Sequence, residues 1–453
     1  MGLEGHQAKI EKRSAMNTYV ENEQKRVLLL VPFGAGTFRV KAFLRAAQRL
    51  HLEVVLAFDL HKTLANYWHV PLAFDFAEPE AAVPTIVELA RQRPFDAILP
   101  VDDSGCELAA HASKALGLTY NSPQAAEAAR DKLIMRTLMA ASDVPCPPFR
   151  TFLLSSDPAR VASQVTYPCV LKPLRLSASQ GVIRADNATE CITAFARLKR
   201  LLLSLGYNQH TTSILVEDFI PGVEVALEGI LTKGNLKVLA LFDKPDPLDG
   251  PFFEETIYVT PSRLPIESQR EIAACAAAAA ASLHLQEGPI HAELRVNKQG
   301  PWVLEVAGRA IGGLCSVILE FSCSTCLEEL ILRHALGQEV TSLEREKDAA
   351  GVMMIPIPST GLLKRVSGVE EARAVPLITD IQITAKPNAL LRTLPEGADN
   401  LGYIFARGDT PAEVEAALRR AHQLLRFDIE PYIEGLPRSS RYPPLPRETD
   451  TCS

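Results

Sequence analysis

Apolar residues in this chain fall into short runs separated by amphipathic stretches, and that alternation sets the order of elements. Arg26-Val-Leu-Leu-Leu-Val-Pro32 is an unbroken apolar run of strand length. Runs of this kind fit strands covered on both faces. A glycine-rich segment, Phe33-Gly34-Ala35-Gly36-Thr37, follows it, then an amphipathic stretch at 40–50 and a second strand at 53–58. The three predict a β-α-β unit with a glycine-rich first turn. A later strand at 96–103 ends in Asp102 and Asp103, at the end of a parallel strand where ligands gather. Gly-x-Gly alone is a weak sign of a dinucleotide site, and a small α/β substrate domain is the preferred reading.

The middle of the chain changes pattern. A helix is predicted over 125–142, with Asp131-Lys132 near its start, and the proline-rich stretch 143–148 reads as a stiff hinge. A strand at 167–173 carries Lys172-Pro173, and a small-residue loop at 177–181 follows. Beyond a helix at 188–205, the run 213–224 holds Glu217-Asp218-Phe219-Ile220, a Pro-Gly turn and Glu224. Strands at 225–232 and 236–242 form a hairpin around Lys233-Gly234-Asn235, and an alanine-rich helix spans 268–285. Two further apolar runs flank the turn Asn297-Lys-Gln-Gly300, one carrying Glu293 and the other Glu305. A helical stretch at 315–334 precedes a last α/β unit, which begins with 351–367 and closes with a helix at 411–425.

Several of these positions carry candidate chemistry. Two carboxylates on paired strands can share one divalent cation, and oxygen ligands suit Mg²⁺ held with nucleotide phosphates. Alone, Glu293 and Glu305 fit a pair of solvated strand-edge residues equally well. A lysine inside a β run is costly without a partner, and phosphate is one such partner for Lys172, with Lys132 as a second cation. The loop Ser177-Ala-Ser179-Gln-Gly181 offers hydroxyls and backbone N–H groups that can close over phosphates. Either lysine alone also reads as a snorkelling surface residue.

In their order along the chain these residues resemble the ATP-grasp superfamily of carboxylate–amine ligases, from about residue 27 to 335, with a family-like C-terminal unit to about 435. The resemblance implies an α/β chain, α+β overall, with an ATP-grasp fold. A Rossmann-like pre-ATP-grasp domain would span 26–125. The ATP-grasp domain would span 126–340 with a mobile lid at about 149–215, and a C-terminal accessory α/β domain would span 341–435. Family roles carried onto matching positions put Lys132 and Lys172 on the α- and β-phosphates, and Ser177, Ser179 and Gly181 in the lid loop. Glu217, Phe219, Ile220 and Glu224 would hold adenine and ribose. Glu293 and Glu305 would hold Mg²⁺, or Mn²⁺ in its place. Arg309 would stabilise the transferred phosphoryl group or the tetrahedral intermediate, making Arg309, Glu305 and Lys172 the catalytic set.

Two departures stand out: Ala307 where the family usually has asparagine, and Leu174-Arg175-Leu176 where small lid residues are common. Arg175 could itself reach a phosphate. Within the superfamily, Phe252–Pro261, Glu305-Val-Ala-Gly-Arg309 with Gly312-Gly313, Gly351-Val-Met-Met-Ile-Pro and Gly402-Tyr-Ile-Phe-Ala look like the bacterial L-amino acid ligases, which form dipeptides. That likeness implies ATP-driven amide formation through an acyl phosphate. Glu255, Tyr258, His291, Arg309, Gly312 and Gly313 become candidate substrate contacts, and a homodimer is a family-based expectation. A biotin-carboxylase-like or purine-pathway ligase, and a nucleotide-binding regulator without catalysis, are the alternatives.

Bulk properties narrow the setting. A net charge of −7 lacks the basic field that nucleic-acid binding needs. No apolar stretch approaches the roughly 20 residues of a membrane span. Nine scattered cysteines suggest reduced thiols and a cytoplasmic protein, with Cys323 and Cys326 read as packing residues. The polar first 25 residues lack a signal peptide's apolar core and read as a flexible tail, as does 436–453.

Overall fold

A computed structural model of the protein describes residues 24–32, 37–338 and 342–432. The glycine-rich turn at 33–36, nearly all of the N-terminal tail and the whole of the C-terminal tail lie outside the described residues. The run Arg26–Pro32 sits inside a four-stranded parallel sheet, ordered Ala73–Phe74, Glu53–Asp59, Arg26–Pro32, Ala97–Pro100. Residues 27–31 within this run are apolar throughout because both faces are covered. Val27, Leu29 and Val31 pack on the helix Thr37–Arg49, through Val40, Phe43 and Ala47. Leu28 and Leu30 pack on Pro79–Gln92 and Cys106–Leu116, through Ile86 and Leu108. Those two helices, and the short one at Lys62–Tyr67, are absent from the sequence reading.

The centre of the molecule is an eight-stranded antiparallel sheet. Its order is Gly300–Ala307, Gly288–Asn297, Val223–Thr232, Asn235–Lys244, Ile257–Thr260, Ala349–Ile355, Gly402–Gly408, Ile378–Ile383. The glutamate strands form its edge pair, and the hairpin around 233–235 lies beside them. The sheet runs unbroken from these strands into the C-terminal unit, because Ile257–Thr260 pairs with Ala349–Ile355. A second antiparallel sheet, ordered Phe149–Leu153, Ser213–Asp218, Cys169–Pro173, Ile183–Ala185, is covered by the helix Ala188–Ser204. Phe195, Leu198 and Leu202 of that helix bury Leu171 and Val216.

Two helices differ from expectation. The stretch 125–142 is two helices, Pro123–Ala128 and Lys132–Ala141. Asp131 breaks it by capping the second, its Oδ1 accepting from the N–H groups of Leu133 (3.0 Å) and Ile134 (3.3 Å). The stretch 315–334 is helical mainly in its last part, Leu327–Ala335. Cys323 and Ser324 have φ of 63° and 55°, a left-handed backbone that no α-helix can pass through. Among the described residues no helix is long and apolar enough to cross a membrane, and the eight described cysteines are all free thiols.

Candidate active site

Glu293 and Glu305 are directly opposed across the strand pair Gly288–Asn297 and Gly300–Ala307. Strand alternation places His291, Glu293 and Arg295 on one face. The intervening Ala292 and Leu294 face Ala276, Ala279 and Ala280 of the helix Ile266–Ser282, whose small side chains allow close approach. The apolar back of the hairpin thus fixes which way its charged front points. Ala307 pairs with His291 and is buried.

Lys244, which ends the strand Asn235–Lys244, reaches into this front. Its Nζ lies 2.8 Å from Glu224, 2.6 Å from Glu255 and 3.0 Å from Glu293. Those three carboxylates present oxygens within 4.8 Å of one another. Burial opposes the charge of Lys244, but the acids outweigh it and raise its pKa well above the ordinary value. Burial and then the nearby Glu293 push Glu255 up to about 7, despite Lys244. Burial acts to raise Glu293 as well, yet Lys244 and His291 hold it well below the carboxylate range.

Toward the lid, Lys132 opens its helix with Nζ on the Leu176 carbonyl at 2.9 Å and on Glu305 at 3.3 Å. Lys172 lies 2.5 Å from Glu217, which also meets Arg136 at 2.6 Å. Burial lowers the pKa of Lys172 in spite of Glu217. Glu224 is held by Arg295 at 3.0 Å as well as by Lys244, and Ile220 gives its carbonyl to Arg295 at 3.1 Å. So Glu217 and Glu224 each face cations. Phe219 stacks on Phe253 at 6.4 Å between ring centroids, with the guanidiniums of Arg184 and Arg295 4.1 and 4.8 Å from its ring.

The small-residue loop is strained and latched. Ala178, Ser179 and Gly181 have φ of 53°, 55° and 76°. The Gly181 N–H donates to Pro395 O at 2.9 Å, and Gln180 Nε2 to Glu396 O at 2.8 Å. Arg197 grips the Glu396 carboxylate with two bonds of 2.7 and 2.8 Å. Arg175 lines the cavity and pairs with Glu107, Asp131 and Glu127 at 3.0, 3.1 and 3.3 Å.

At the other end, Arg309 bonds Asp103 at 2.7 Å and the Ala310 carbonyl at 3.0 Å. His291 lies 3.3 Å from the buried Glu228 and 3.5 Å from Glu293. Burial opposes its charge, but these two acids raise its pKa above the ordinary value. Glu228 also accepts from the Ile311 N–H at 3.0 Å. Tyr258 is buried, with its hydroxyl 3.5 Å from Glu293. Gly313 has φ of 60°, and a Cβ there would lie 3.2 Å from the Tyr403 ring. One cavity of about 590 Å³ joins these ends. It is lined by each sequence-predicted site residue except Gly181, whose neighbours Gln180 and Val182 take part instead.

Residues 165–318 match the family described as the ATP-grasp domain, 44–119 the ATP-grasp N-terminal domain, and 353–430 the L-amino acid ligase C-terminal domain 2. The chain thus carries ATP-grasp domains followed by an L-amino acid ligase C-terminal domain. The L-amino acid ligase from Bacillus licheniformis superposes with a TM-score of 0.76 at 25% identity, covering 90% of this chain and 99% of that one. The alanine–anticapsin ligase of Bacillus subtilis (strain 168) is 28% identical over 305 residues, 62% of this chain and 64% of that protein. Dapdiamide A synthase of Enterobacter agglomerans is 23% identical, covering 73% and 79%. The chain thus spans just under two thirds of the alanine–anticapsin ligase it matches.

The sequence reading of this ATP-grasp chain missed Lys244, Arg136, Glu228 and Arg295. One signal was available: Lys244-Pro245 repeats Lys172-Pro173, a lysine closing an apolar run before proline. Arg136 and Glu228 carry no such mark, since a helix arginine and a strand glutamate are commonplace until tertiary contacts bury them.

Proposed function

We propose that this chain is an ATP-dependent carboxylate–amine ligase that joins two amino acids and releases ADP and phosphate. The observation that carries the reading is the single cavity with two unlike ends. Lys132, Lys172 and a loop rich in hydroxyls and N–H groups line one end, and Arg309, Asp103, His291 and Tyr258 line the other. Glu293 and Glu305 lie between, as a phosphoryl transfer from nucleotide to carboxylate requires. Their all-oxygen donor set fits Mg²⁺, which prefers hard carboxylate ligands and phosphates. When bound, the ion supplies charge neutralisation on the phosphate oxygens.

Within this reading the chain's own residues work as follows. A substrate carboxylate and a triphosphate repel each other, and Lys132, Lys172 and Lys244 offset that charge. The carboxylate oxygen bonds to the γ-phosphorus, the bond to the β-γ bridging oxygen breaks, and ADP leaves. The amine of the second amino acid then attacks the acyl carbon. Arg309, held in place by Asp103, faces the charge on the tetrahedral intermediate, and phosphate departs. Acyl phosphates hydrolyse, so water must be kept out, which suits the lid and its hinge at 143–148. Adenine would lie against Phe219 and Ile220, with Glu217 and Glu224 positioning the cations there. A cytoplasmic setting and a homodimer are proposed on the family likeness alone.

The test is ADP and phosphate release across all pairs of amino acids, with mass spectrometry of the product. Release that depends on two amino acids, with a product mass equal to their sum less water, supports the ligase. Turnover that depends on bicarbonate instead, or none with any pair, overturns it.

A further inference from the structure

Arg39 stands in the first turn of the helix Thr37–Arg49, at the C-terminal side of the parallel sheet, and lines the cavity at its Arg309 end. Its guanidinium and that of Arg309 donate to the same carbonyl, Ala310 O, at 3.3 and 3.0 Å. Two like charges therefore sit side by side. Asp103 compensates one of them, at 2.7 Å from Arg309. Among the described residues no carboxylate makes an ion pair with Arg39, although Asp102, Asp103 and Glu328 act on it from further away. Asp102 also lines the cavity, but its Oδ1 is taken up by the N–H and hydroxyl of Ser104 at 2.9 and 2.7 Å. Burial and then Arg309 make the charge on Arg39 harder to hold. An arginine keeps its charge regardless, so a site of this kind is completed by an anion.

Three anions enter a ligase of the proposed type and could meet Arg39. The phosphates have Lys132 and Lys172 at the lid end. The carboxylate being activated must lie against the γ-phosphate. The amine substrate has no such constraint on a carboxylate of its own. We propose that Arg39 is the residue that binds the free α-carboxylate of the amine-donating amino acid, and so selects an amino acid over a simple amine as the second substrate. A guanidinium can take a carboxylate in two parallel hydrogen bonds, which fixes its orientation as well as its position. The inference rests on the ligase reading above and adds the residue that selects the nucleophile.

The experiment compares an amino acid with its carboxamide as amine donor, in the wild type, Arg39→Gln and Arg39→Lys, with ATP KM measured in each. The wild type is expected to favour the free carboxylate by about 10- to 100-fold in kcat/KM. Arg39→Gln should lose that preference with ATP KM unchanged, and Arg39→Lys should keep part of it. If Arg39→Gln retains the preference, or its ATP KM rises in parallel, the inference is overturned while the ligase reading stands. If Arg39→Gln does not fold, an undiminished preference in Arg39→Lys overturns the inference and a partial loss supports it. A wild type without amino-acid-dependent turnover overturns both.

Discussion

Two parts of the candidate site line one cavity and are built in opposite ways. The glutamate hairpin is local: Glu293 and Glu305 are twelve residues apart, and strand register alone sets them face to face. The lid loop at 174–182 is held from outside. Arg175 reaches back to Glu107, and Gly181, Gln180 and Arg197 reach forward to Pro395 and Glu396, more than 190 residues away. A hairpin packed on a helix is rigid, whereas a loop held by a few polar contacts can open. The hairpin thus suits the chemical step, and the loop suits nucleotide entry and closure.

Breaking the rigid side should have the largest effect. Glu305→Gln is expected to lower amino-acid-dependent ADP release by about 1000-fold, with the melting temperature unchanged because the side chain is partly exposed. Near-normal steady-state turnover would remove Glu305 from the metal platform. Lys172→Ala comes next. ATP affinity by calorimetry should fall about 100-fold, and stability should drop by about 2 kcal/mol as Glu217 loses a charged partner. An unchanged ATP affinity would leave Lys172 a purely structural cation.

The latch should give the smallest effect and a different kind. Glu396→Ala is expected to raise ATP KM by about three- to fivefold with kcat within about twofold, since a half-exposed ion pair is worth little. A fall in kcat of the size seen for Glu305→Gln would abolish the contrast between the two regions. Acid provides a second check. The hydrogen bond from Arg197 holds Glu396 below its ordinary 4.5. A depressed carboxylate contributes its stabilisation above that value and loses it as pH falls through the folded pKa. Hydrogen-exchange protection of 176–182 should therefore weaken below about pH 4.5 in the wild type, and be already weak at neutral pH in Glu396→Ala.

The same contrast explains what could be read from the residues alone. Apolar periodicity located the parallel sheet, the glutamate hairpin and the 233–235 turn, because each depends on neighbours a few positions apart. It placed Lys132 and Lys172 correctly at a helix start and a strand end. It joined two helices across Asp131, since a capping aspartate and a helix-interior aspartate look alike without knowing which N–H groups it accepts from. It also took 315–334 as mostly helical, because a left-handed pair at Cys323 and Ser324 leaves no trace in composition.

The order of residues was enough for the fold class, through the resemblance it carries, and short-range pattern for the opposed glutamates and for Lys132 and Lys172 at a helix start and a strand end. Only the tertiary structure decided the partners of the charges. It put Lys244 among Glu224, Glu255 and Glu293, turned Glu217 toward Lys172 and Arg136, paired Arg175 with Glu107, and set Arg39 beside Arg309. A charge buried in a fold must find its counter-charge wherever the chain brings one, and that choice is made across distances the local sequence does not encode.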